Sequence, residues 1–361
     1  MTTESVLSGV RDYRRRTSRR LLFAVLAIAA VALVSVMSLS ISRVDISLVQ
    51  ALEVVWNHII GNVPLKSEDY SSWWIDQIVI NDNAPRTIAG ICVGAILSVC
   101  GAMMQSVTRN PLTDPYTLGI SSAAMFGTTI AIVLGICIVP GLDGTAAQIA
   151  NAFFFSLIPA MAVVLVSCFK RTTPTMMILV GIATMYLFNA FTTFIKFNAD
   201  ADAVEEIYEW GLGTLVKVDW TSMVPLIVTV ILLTVIAMSL ANRINVISAG
   251  DAYATSLGER SVVVRIVCFI LISVAVAVAV CFTGTIGFVG LVGPHVARLF
   301  VGSNCKVLIP FSAIIGALMV VGADVLVRSL PHVLPVGVVT ALIGSPLFLY
   351  FLYVQRRKSV W

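Results

Sequence analysis

The sequence contains few of the residue clusters that carry out catalysis or hold metal ions. Its three histidines, His58, His295 and His332, lie far apart, and the H-E-x-x-H pattern of zinc enzymes is missing. The G-x-x-x-x-G-K-[ST] phosphate loop is also missing, so we expect no ATP site of that kind in this chain. None of the seven cysteines forms a Cys-x-x-Cys pair. We therefore expect no catalysis, no metal site and no cofactor bound by this chain.

Asp324 is the one acidic residue that lies clearly inside a long apolar run. Proton-driven transporters usually place several ionisable groups across the membrane. A single acid is thin support for a proton relay, and we expect Asp324 to pair with a polar neighbour near the outer end of its helix. An ion-coupled secondary transporter that needs Asp324 remains an alternative, followed by an intramembrane enzyme.

Three other segments are too polar and too rich in turns to be ordinary membrane helices. Residues 109–115 contain Pro111 and Pro115, which predict a rigid turn. Residues 250–258 read as a short helix between two glycines, which is suited to a docking surface. Residues 287–298 are rich in glycine and contain a proline, which predicts a short, broken or partly re-entrant span.

The elements that must position these segments are membrane helices. The chain has 361 residues, of which 58% are hydrophobic and 12% charged, about half the charged fraction of a soluble domain. Lipid must therefore be the solvent for much of the chain. Apolar runs long enough to span a bilayer occur at about 21–41, 87–107, 118–139, 150–169, 175–195, 222–241, 262–282, 284–301, 307–327 and 334–354. The prediction is an all-α polytopic membrane protein with about ten transmembrane helices.

The distribution of charge predicts the orientation of these helices. With ten spans and a cytoplasmic N-terminus, most of the 23 Lys and Arg residues fall in cytoplasmic segments. We expect a basic cytoplasmic segment at 1–20, a transmembrane domain at 21–354 and a basic cytoplasmic tail at 355–361. Both termini are then cytoplasmic, and the protein is expected in the inner membrane. The two long outer segments, 42–86 and 196–221, are expected to hold short amphipathic helices.

Four motifs occur in order after residue 85. R-N-P-L-x-D-P-x-x-L-G-[IV]-S-S is met at 109–122, A-x-S-L-G at 254–258, G-F-V-G-L-x-x-P-H-x-A-R at 287–298 and L-P-V-G-V-V-T-A-L-I-G-x-P at 334–346. In these motifs the chain resembles the FecCD-type permeases, which import ferric siderophores, haem and cobalamin. Agreement at four separate motifs, in the same order, is not expected by chance.

The resemblance implies a permease subunit of a binding-protein-dependent ABC importer. A second permease chain, most simply a copy of this one, would complete the pore. Two ATPase subunits would bind ATP, and an extracytoplasmic binding protein would deliver the substrate; no nucleic acid is involved. Ferric siderophore is the expected substrate by family frequency, with cobalamin and haem as alternatives. The ATPase-coupling residues would be Gly250, Asp251, Ala254, Ser256, Leu257 and Gly258.

The resemblance also implies roles for two outer arginines and for the turns of the pore. Arg86 and Arg328 match arginines that dock acids of the binding protein, although each could instead anchor a helix end at the lipid headgroups. Two departures, Asn83 in place of an arginine and Val333 in place of an acid, alter the expected docking charges, and segment 42–85 is longer than expected. The pore and gating candidates, all of which could equally be packing or turn residues, are Gln105, Asn110, Pro111, Asp114, Pro115, Gly290, Pro294, His295 and Arg298.

Overall fold

The computed structural model describes residues 3–42, 44–61, 63, 64, 67, 69–169, 173–331 and 334–356. For 3–17, 168, 169, 352 and 354–356 it describes the backbone alone. Val333, His332 and residues 357–361 of the expected basic tail lie outside the described residues. Every regular element in the described ranges is a helix, and these ranges contain no β-strand, as the all-α prediction requires.

The described residues form fifteen α-helices joined by short irregular segments. In chain order they are α1 (Thr3–Ser40), α2 (Leu48–Ile59), α3 (Tyr70–Asp76), α4 (Ala84–Thr108), α5 (Ile120–Leu134), α6 (Gly144–Ser156), α7 (Ile158–Phe169), α8 (Pro174–Phe197), α9 (Ala201–Gly211), α10 (Met223–Ser248), α11 (Asp251–Ser256), α12 (Ser261–Thr283), α13 (Val289–Val301), α14 (Cys305–Ser329) and α15 (Val336–Arg356). A π-helical segment, Gln77–Asn83, joins α3 to α4, and 3-10 helices occupy Pro115–Leu118 and Trp220–Ser222.

Seven helical segments among the described residues are long and apolar enough to cross a membrane. They are Ser18–Ser40, Tyr70–Thr108, Gly144–Ser167, Pro174–Phe197, Trp220–Ser248, Ser261–Thr283 and Cys305–Ser329. Three shorter apolar helices, Ile120–Leu134, Val289–Val301 and Val336–Phe351, coincide with the other three predicted spans. The multi-pass membrane architecture follows from these lengths and compositions.

Several elements differ from their predicted limits for identifiable reasons. The span predicted at 150–169 is divided at Leu157 into α6 and α7, because Pro159 cannot continue the hydrogen-bond ladder of the preceding helix. Helix α13 is only 13 residues long and follows an irregular segment, which confirms the short, broken span expected there. Helix α1 runs without interruption across the boundary expected at residue 20.

The short helices predicted outside the membrane are present. Helices α2 and α3 lie in segment 42–86, and α9 lies in segment 196–221. Ser47 begins α2 with a capping box shared with Gln50, and the Asp69 side chain accepts hydrogen bonds from the first backbone amides of α3. Part of the unexpectedly long outer segment is therefore folded against the end of α1, where a small apolar cluster forms.

Helix α4 lies at the centre of the bundle and is buried along nearly its whole length. Its glycines bring neighbouring helices into backbone contact: a Cβ atom added to Gly94 would lie 2.2 Å from the carbonyl oxygen of Gly316 in α14. A Cβ added to Gly101 would lie 1.8 Å from the carbonyl oxygen of Gly290 in α13. Small residues allow this close approach in membrane proteins. The glycines of α4 therefore serve helix packing.

We expect Gly316→Ala to destabilise the protein, because the added methyl group would overlap the backbone of Gly94. Forcing a methyl group into a packed core costs about 1–3 kcal/mol. The measurement is the thermal unfolding midpoint in detergent. Gly322→Ala is the matched control in the same helix, because nothing lies within 4 Å of a Cβ at that position. Equal midpoints for the two variants would contradict the packing argument.

Candidate functional site: ion-pair clusters at the two ends of helix α4

The first cluster surrounds Asp324, near the C-terminal end of α14. Its carboxylate is 1% exposed; Oδ1 accepts a hydrogen bond from Arg86 Nε at 2.6 Å, and Oδ2 forms an ion pair with Arg328 Nη2 at 2.7 Å. A buried carboxylate is tolerated when it is paired in this way. The expectation that Asp324 pairs with polar neighbours is thus confirmed, while the outward orientation of this end of the helix remains a prediction. Its partners are the two arginines predicted to dock the binding protein.

Arg328 is held on several sides by its own chain. Its Nη1 atom donates to the carbonyl oxygens of Ser38 at 2.9 Å and Ile41 at 3.2 Å, and to Oδ1 of Asn83 at 2.9 Å. Its Nη2 atom also donates to the Ser38 hydroxyl. These bonds join α14 to the end of α1 and to the π-helical segment. Arg328 therefore acts as a clamp between helices in this structure.

Arg86, in the first turn of α4, is bound less completely. Its Nε atom is committed to Asp324, while the described residues offer no hydrogen-bond partner to its two Nη atoms. The side chain lines a cavity of about 510 Å³ that is also lined by Trp74, Asp82 and Val216. One edge of the guanidinium group is therefore fixed, and the other edge is available to a ligand in the cavity.

The departure at Asn83 has a structural role in this cluster. The Asn83 amide accepts from Arg328 through Oδ1 and donates to the carbonyl oxygen of Leu39 at 2.9 Å through Nδ2. An arginine at this position would lack the acceptor and would add a third cation beside a single carboxylate. Asparagine is thus compatible with the buried cluster as it is built here.

The second cluster lies at the opposite end of α4. Asp251, the first residue of α11, accepts from Arg265 of α12 at 2.5 Å and 3.3 Å in a two-pronged contact, and from Arg109 at 3.5 Å. The hydrogen bonds from Arg265 are the main reason why the pKa of Asp251 lies below its ordinary value, although desolvation opposes them. Arg265 also donates from Nε to the carbonyl oxygen of Val107 at 2.9 Å.

The predicted coupling residues divide between two faces of α11. Asp251 binds the protein body, and Ala254 is fully buried. Ser256 and Leu257 are exposed, together with the neighbouring Tyr253. Gly250 and Gly258 flank the helix and adopt positive φ angles of 129° and 78°, which glycine tolerates without strain. A short helix bounded by glycines is therefore confirmed, with one face anchored and the other free.

The proline-containing turn at 109–115 is built from local hydrogen bonds. Asn110 Oδ1 accepts from the amide of Leu112 at 3.0 Å, and Asp114 Oδ1 accepts from the amide of Tyr116 at 2.8 Å. Pro111 lies in the turn between these residues, and Pro115 begins the 3-10 helix. Asn110 and Asp114 are therefore turn-forming residues here, while their expected part in the pore remains a prediction.

The other pore candidates are packed between α4, α13 and α15. Gln105 receives Arg298 Nη1 on Oε1 at 2.8 Å and donates to the carbonyl oxygen of Leu291 at 3.2 Å. His295 is 1% exposed and stacks on the ring of Phe351, with 5.7 Å between the ring centres. Pro294 has no backbone N–H, so it cannot donate a hydrogen bond to the carbonyl oxygen of Gly290, four residues earlier in α13. This carbonyl oxygen instead packs against Gly101 of α4.

Arg265 of α12 matches none of the sequence motifs, because it is a single basic residue within an apolar helix. Its position four residues into a helix that follows the 250–258 segment was the available signal. Among the described residues no group of three or more His, Cys, Asp or Glu side chains is arranged to hold a metal ion.

Comparison with known proteins places this architecture in a family. The sequence profile of the FecCD transport family matches residues 26–354. The chain belongs to this family. A similar FecCD-type relative is the probable iron chelatin transport system permease protein of Helicobacter pylori strain J99, which is 36% identical over 86% of this chain and 92% of its own.

Two further proteins extend the comparison. The cobalamin import system permease protein of Halobacterium salinarum is 37% identical over 79% of this chain and 76% of its own. A solved structure described as an inward-facing metal-chelate type ABC transporter is 28% identical, with a TM-score of 0.78, and covers 92% of this chain and 98% of its own. These proteins are transport components by their descriptions, and this chain is a membrane permease of the same kind.

We expect Asp324→Asn to destabilise the permease strongly, because it leaves two largely buried guanidinium groups without a counter-charge. Removing one partner of a buried ion pair costs about 3–5 kcal/mol. The thermal unfolding midpoint in detergent measures the loss. Asp82→Asn serves as the control, since Asp82 is an exposed acid that lines the same cavity. A midpoint for Asp324→Asn as high as that of the control would be inconsistent with the cluster.

The ion pair of Asp251 predicts a pH-dependent effect. Because the pKa of this carboxyl is lowered in the folded protein, its contribution to stability is present above the unfolded pKa and disappears as the pH falls through the folded value. Asp251→Asn should lower the unfolding midpoint at neutral pH and at pH 5, and the difference should shrink below about pH 4. A difference that grows with acidity would refute this assignment.

Proposed function

We propose that the chain is the membrane permease subunit of a binding-protein-dependent ABC importer that carries a metal chelate. The observation that carries this proposal is the combination of FecCD family membership over residues 26–354 with a fold shared along 92% of the chain with a metal-chelate type ABC transporter. In this proposal ATP is bound and hydrolysed by two separate ATPase subunits. The permease moves the substrate by alternating access.

The charges at the two ends of the bundle support the orientation proposed for the chain. Near α9 the exposed charged residues include Asp200, Asp202, Glu205 and Glu209. Near α11, at the opposite end of α4, they include Arg243, Arg260 and Lys306. Positive charge accumulates on the cytoplasmic side of membrane proteins. We therefore propose ten spans with both termini in the cytoplasm, and the inner membrane as the location.

The exposed face of α11 is the proposed contact with the ATPase. Tyr253 and Leu257 are more than half exposed on a segment of only six helical residues. Large apolar side chains at an exposed helix beyond the membrane spans favour a protein partner. Ala254 and Asp251 fix the same helix to the permease. The arrangement suits a rigid element that is moved by the ATPase subunits.

The outer cluster refines the proposed docking of the binding protein. Arg86 faces the 510 Å³ cavity with two Nη atoms that have no partner among the described residues. An arginine fork of this kind suits a carboxylate. Arg328 is already occupied by acceptors of its own chain. We therefore assign docking to Arg86 and a clamping role to Arg328.

A ferric siderophore is the substrate that we propose, with cobalamin or haem as alternatives. The relatives named above transport an iron chelatin and cobalamin respectively, so family membership alone does not separate these substrates. A secondary transporter based on Asp324 is less well supported, since both carboxylate oxygens bind guanidinium groups. A second copy of the chain is proposed to complete the pore.

The function is tested by uptake into proteoliposomes. The permease is co-expressed with the ATPase and binding protein encoded beside it, and labelled ferric siderophore, cobalamin and haem are offered separately. Uptake of one substrate that requires ATP would support the importer and identify its cargo. Equal uptake without ATP would overturn the proposal in favour of a secondary transporter.

Variants of the two outer arginines, Arg86 and Arg328, should differ in how strongly they bind the binding protein. Arg86→Ala should weaken association with the binding protein at least tenfold, about 1.4 kcal/mol, because it removes the fork that faces the cavity. Arg328→Lys should lower the unfolding midpoint while leaving association within about twofold, since it disturbs the clamp. Association is measured by surface plasmon resonance on the complex in nanodiscs. Weaker association for Arg328→Lys, at an unchanged midpoint, would reverse the two assignments.

A further inference from the structure

Arg265 is a buried cation whose bonds all lead to neighbouring elements. It is 1% exposed, within the second turn of α12. Removing a charged group from water is unfavourable unless it is paired and hydrogen-bonded. The guanidinium group meets this requirement with one carboxylate, Asp251, and one backbone carbonyl, Val107. These acceptors therefore suit a positively charged side chain with several N–H donors, as arginine has.

The two acceptors of Arg265 belong to elements that are expected to move together. Asp251 opens α11, the helix whose outer face is the proposed ATPase contact. Val107 lies in the last turn of α4, where carbonyl groups lack partners within the helix. A single side chain thus bridges the coupling helix and the inner end of the central helix. Arg109, which directly follows α4, reaches the same carboxylate at 3.5 Å and adds a weaker, more exposed contact.

We propose that Arg265 is a positioning residue that transmits displacement of α11 to the inner end of α4. This inference rests on the proposed importer function and names the connection through which the ATPase would act on the membrane helices. A displaced α11 carries the Asp251 carboxylate with it. The guanidinium group follows that carboxylate and acts on the end of α4 through the Val107 carbonyl.

The geometry requires arginine rather than any cation. The two bonds to Asp251 leave from Nη1 and Nη2, and the bond to Val107 leaves from Nε. These three donors lie in one rigid plane, so the distance between the two acceptors is fixed. A lysine retains the positive charge but has one flexible ammonium group, which cannot hold both acceptors at defined separations. The Arg265→Lys variant therefore keeps the positive charge and removes the rigid connection between Asp251 and Val107.

The test uses the complete complex of permease, ATPase and binding protein in proteoliposomes. Two quantities are measured together: substrate imported and ATP hydrolysed. For Arg265→Lys we expect the number of substrate molecules imported per ATP to fall about tenfold, within the usual range of coupling between sites. ATP hydrolysis should stay within about twofold of the wild-type rate. A residue with a merely structural role would lower both quantities in proportion.

Arg243→Lys is the matched control. Arg243, in α10, pairs at 3.6 Å with Glu259, which follows α11 at the same end of the bundle. This pair does not contact α4. The Arg243→Lys complex should import as many substrate molecules per ATP hydrolysed as the wild-type complex. Asp251→Asn provides a second variant, which removes the carboxylate and leaves Arg265 and Val107 in place. We expect its ratio to fall as well, so that a folding defect in one variant does not decide the outcome.

Each outcome has a distinct meaning. A wild-type ratio in both Arg265→Lys and Asp251→Asn would overturn the inference, and so would an equal loss in Arg243→Lys. The importer function would stand in both cases, because the wild-type complex would still show ATP-driven uptake. Failure of the wild-type complex to import any of the three chelates with ATP would instead remove the proposed function on which the inference rests.

Discussion

The pairing of buried charges at both ends of α4 is the constraint on which the rest of this structure depends. A guanidinium group inside a helical membrane bundle must find acceptors, or its burial would cost several kcal/mol. At one end Asp324 provides them for Arg86 and Arg328, and at the other end Asp251 and Val107 provide them for Arg265. The positions of α1, α11, α12 and α14 around α4 are fixed in part by these bonds.

Much of the helical framework can be predicted from the sequence because its signals are local. The glycines at 250 and 258 define a short helix, and the Gly-rich segment with Pro294 predicts the short α13. The division of the span at 150–169 was also encoded locally, by Pro159, but long apolar runs conceal such breaks. By contrast, Arg86 and Asp324 are separated by 238 positions. No local pattern reveals that pairing, since it depends on how the helices pack.

The same limit applies to the roles of individual residues. Family motifs single out Arg86 and Arg328 together, and sequence gives no reason to treat them differently. Both arginines line the same cavity, and the structure distinguishes them through their acceptors. Arg328 Nη1 donates to carbonyl groups at the end of α1, whereas the Nη atoms of Arg86 have no partner among the described residues. No sequence pattern distinguishes Arg265, because a single basic residue near a helix end is typical of cytoplasmic anchoring. Its partners lie on two other elements.

Backbone contact between α4 and its neighbours has a further mechanical consequence. Backbone contacts at Gly94–Gly316 and Gly101–Gly290 leave no room for a side chain at these two points, so α4 cannot slide along α13 or α14 without losing them. With 25 residues, α4 is about 37 Å long, which exceeds the thickness of the hydrocarbon layer. A helix of this length that tilts about its middle moves its two ends in opposite directions. A single tilt of α4 would then open one end of the transport pathway while it closes the other end.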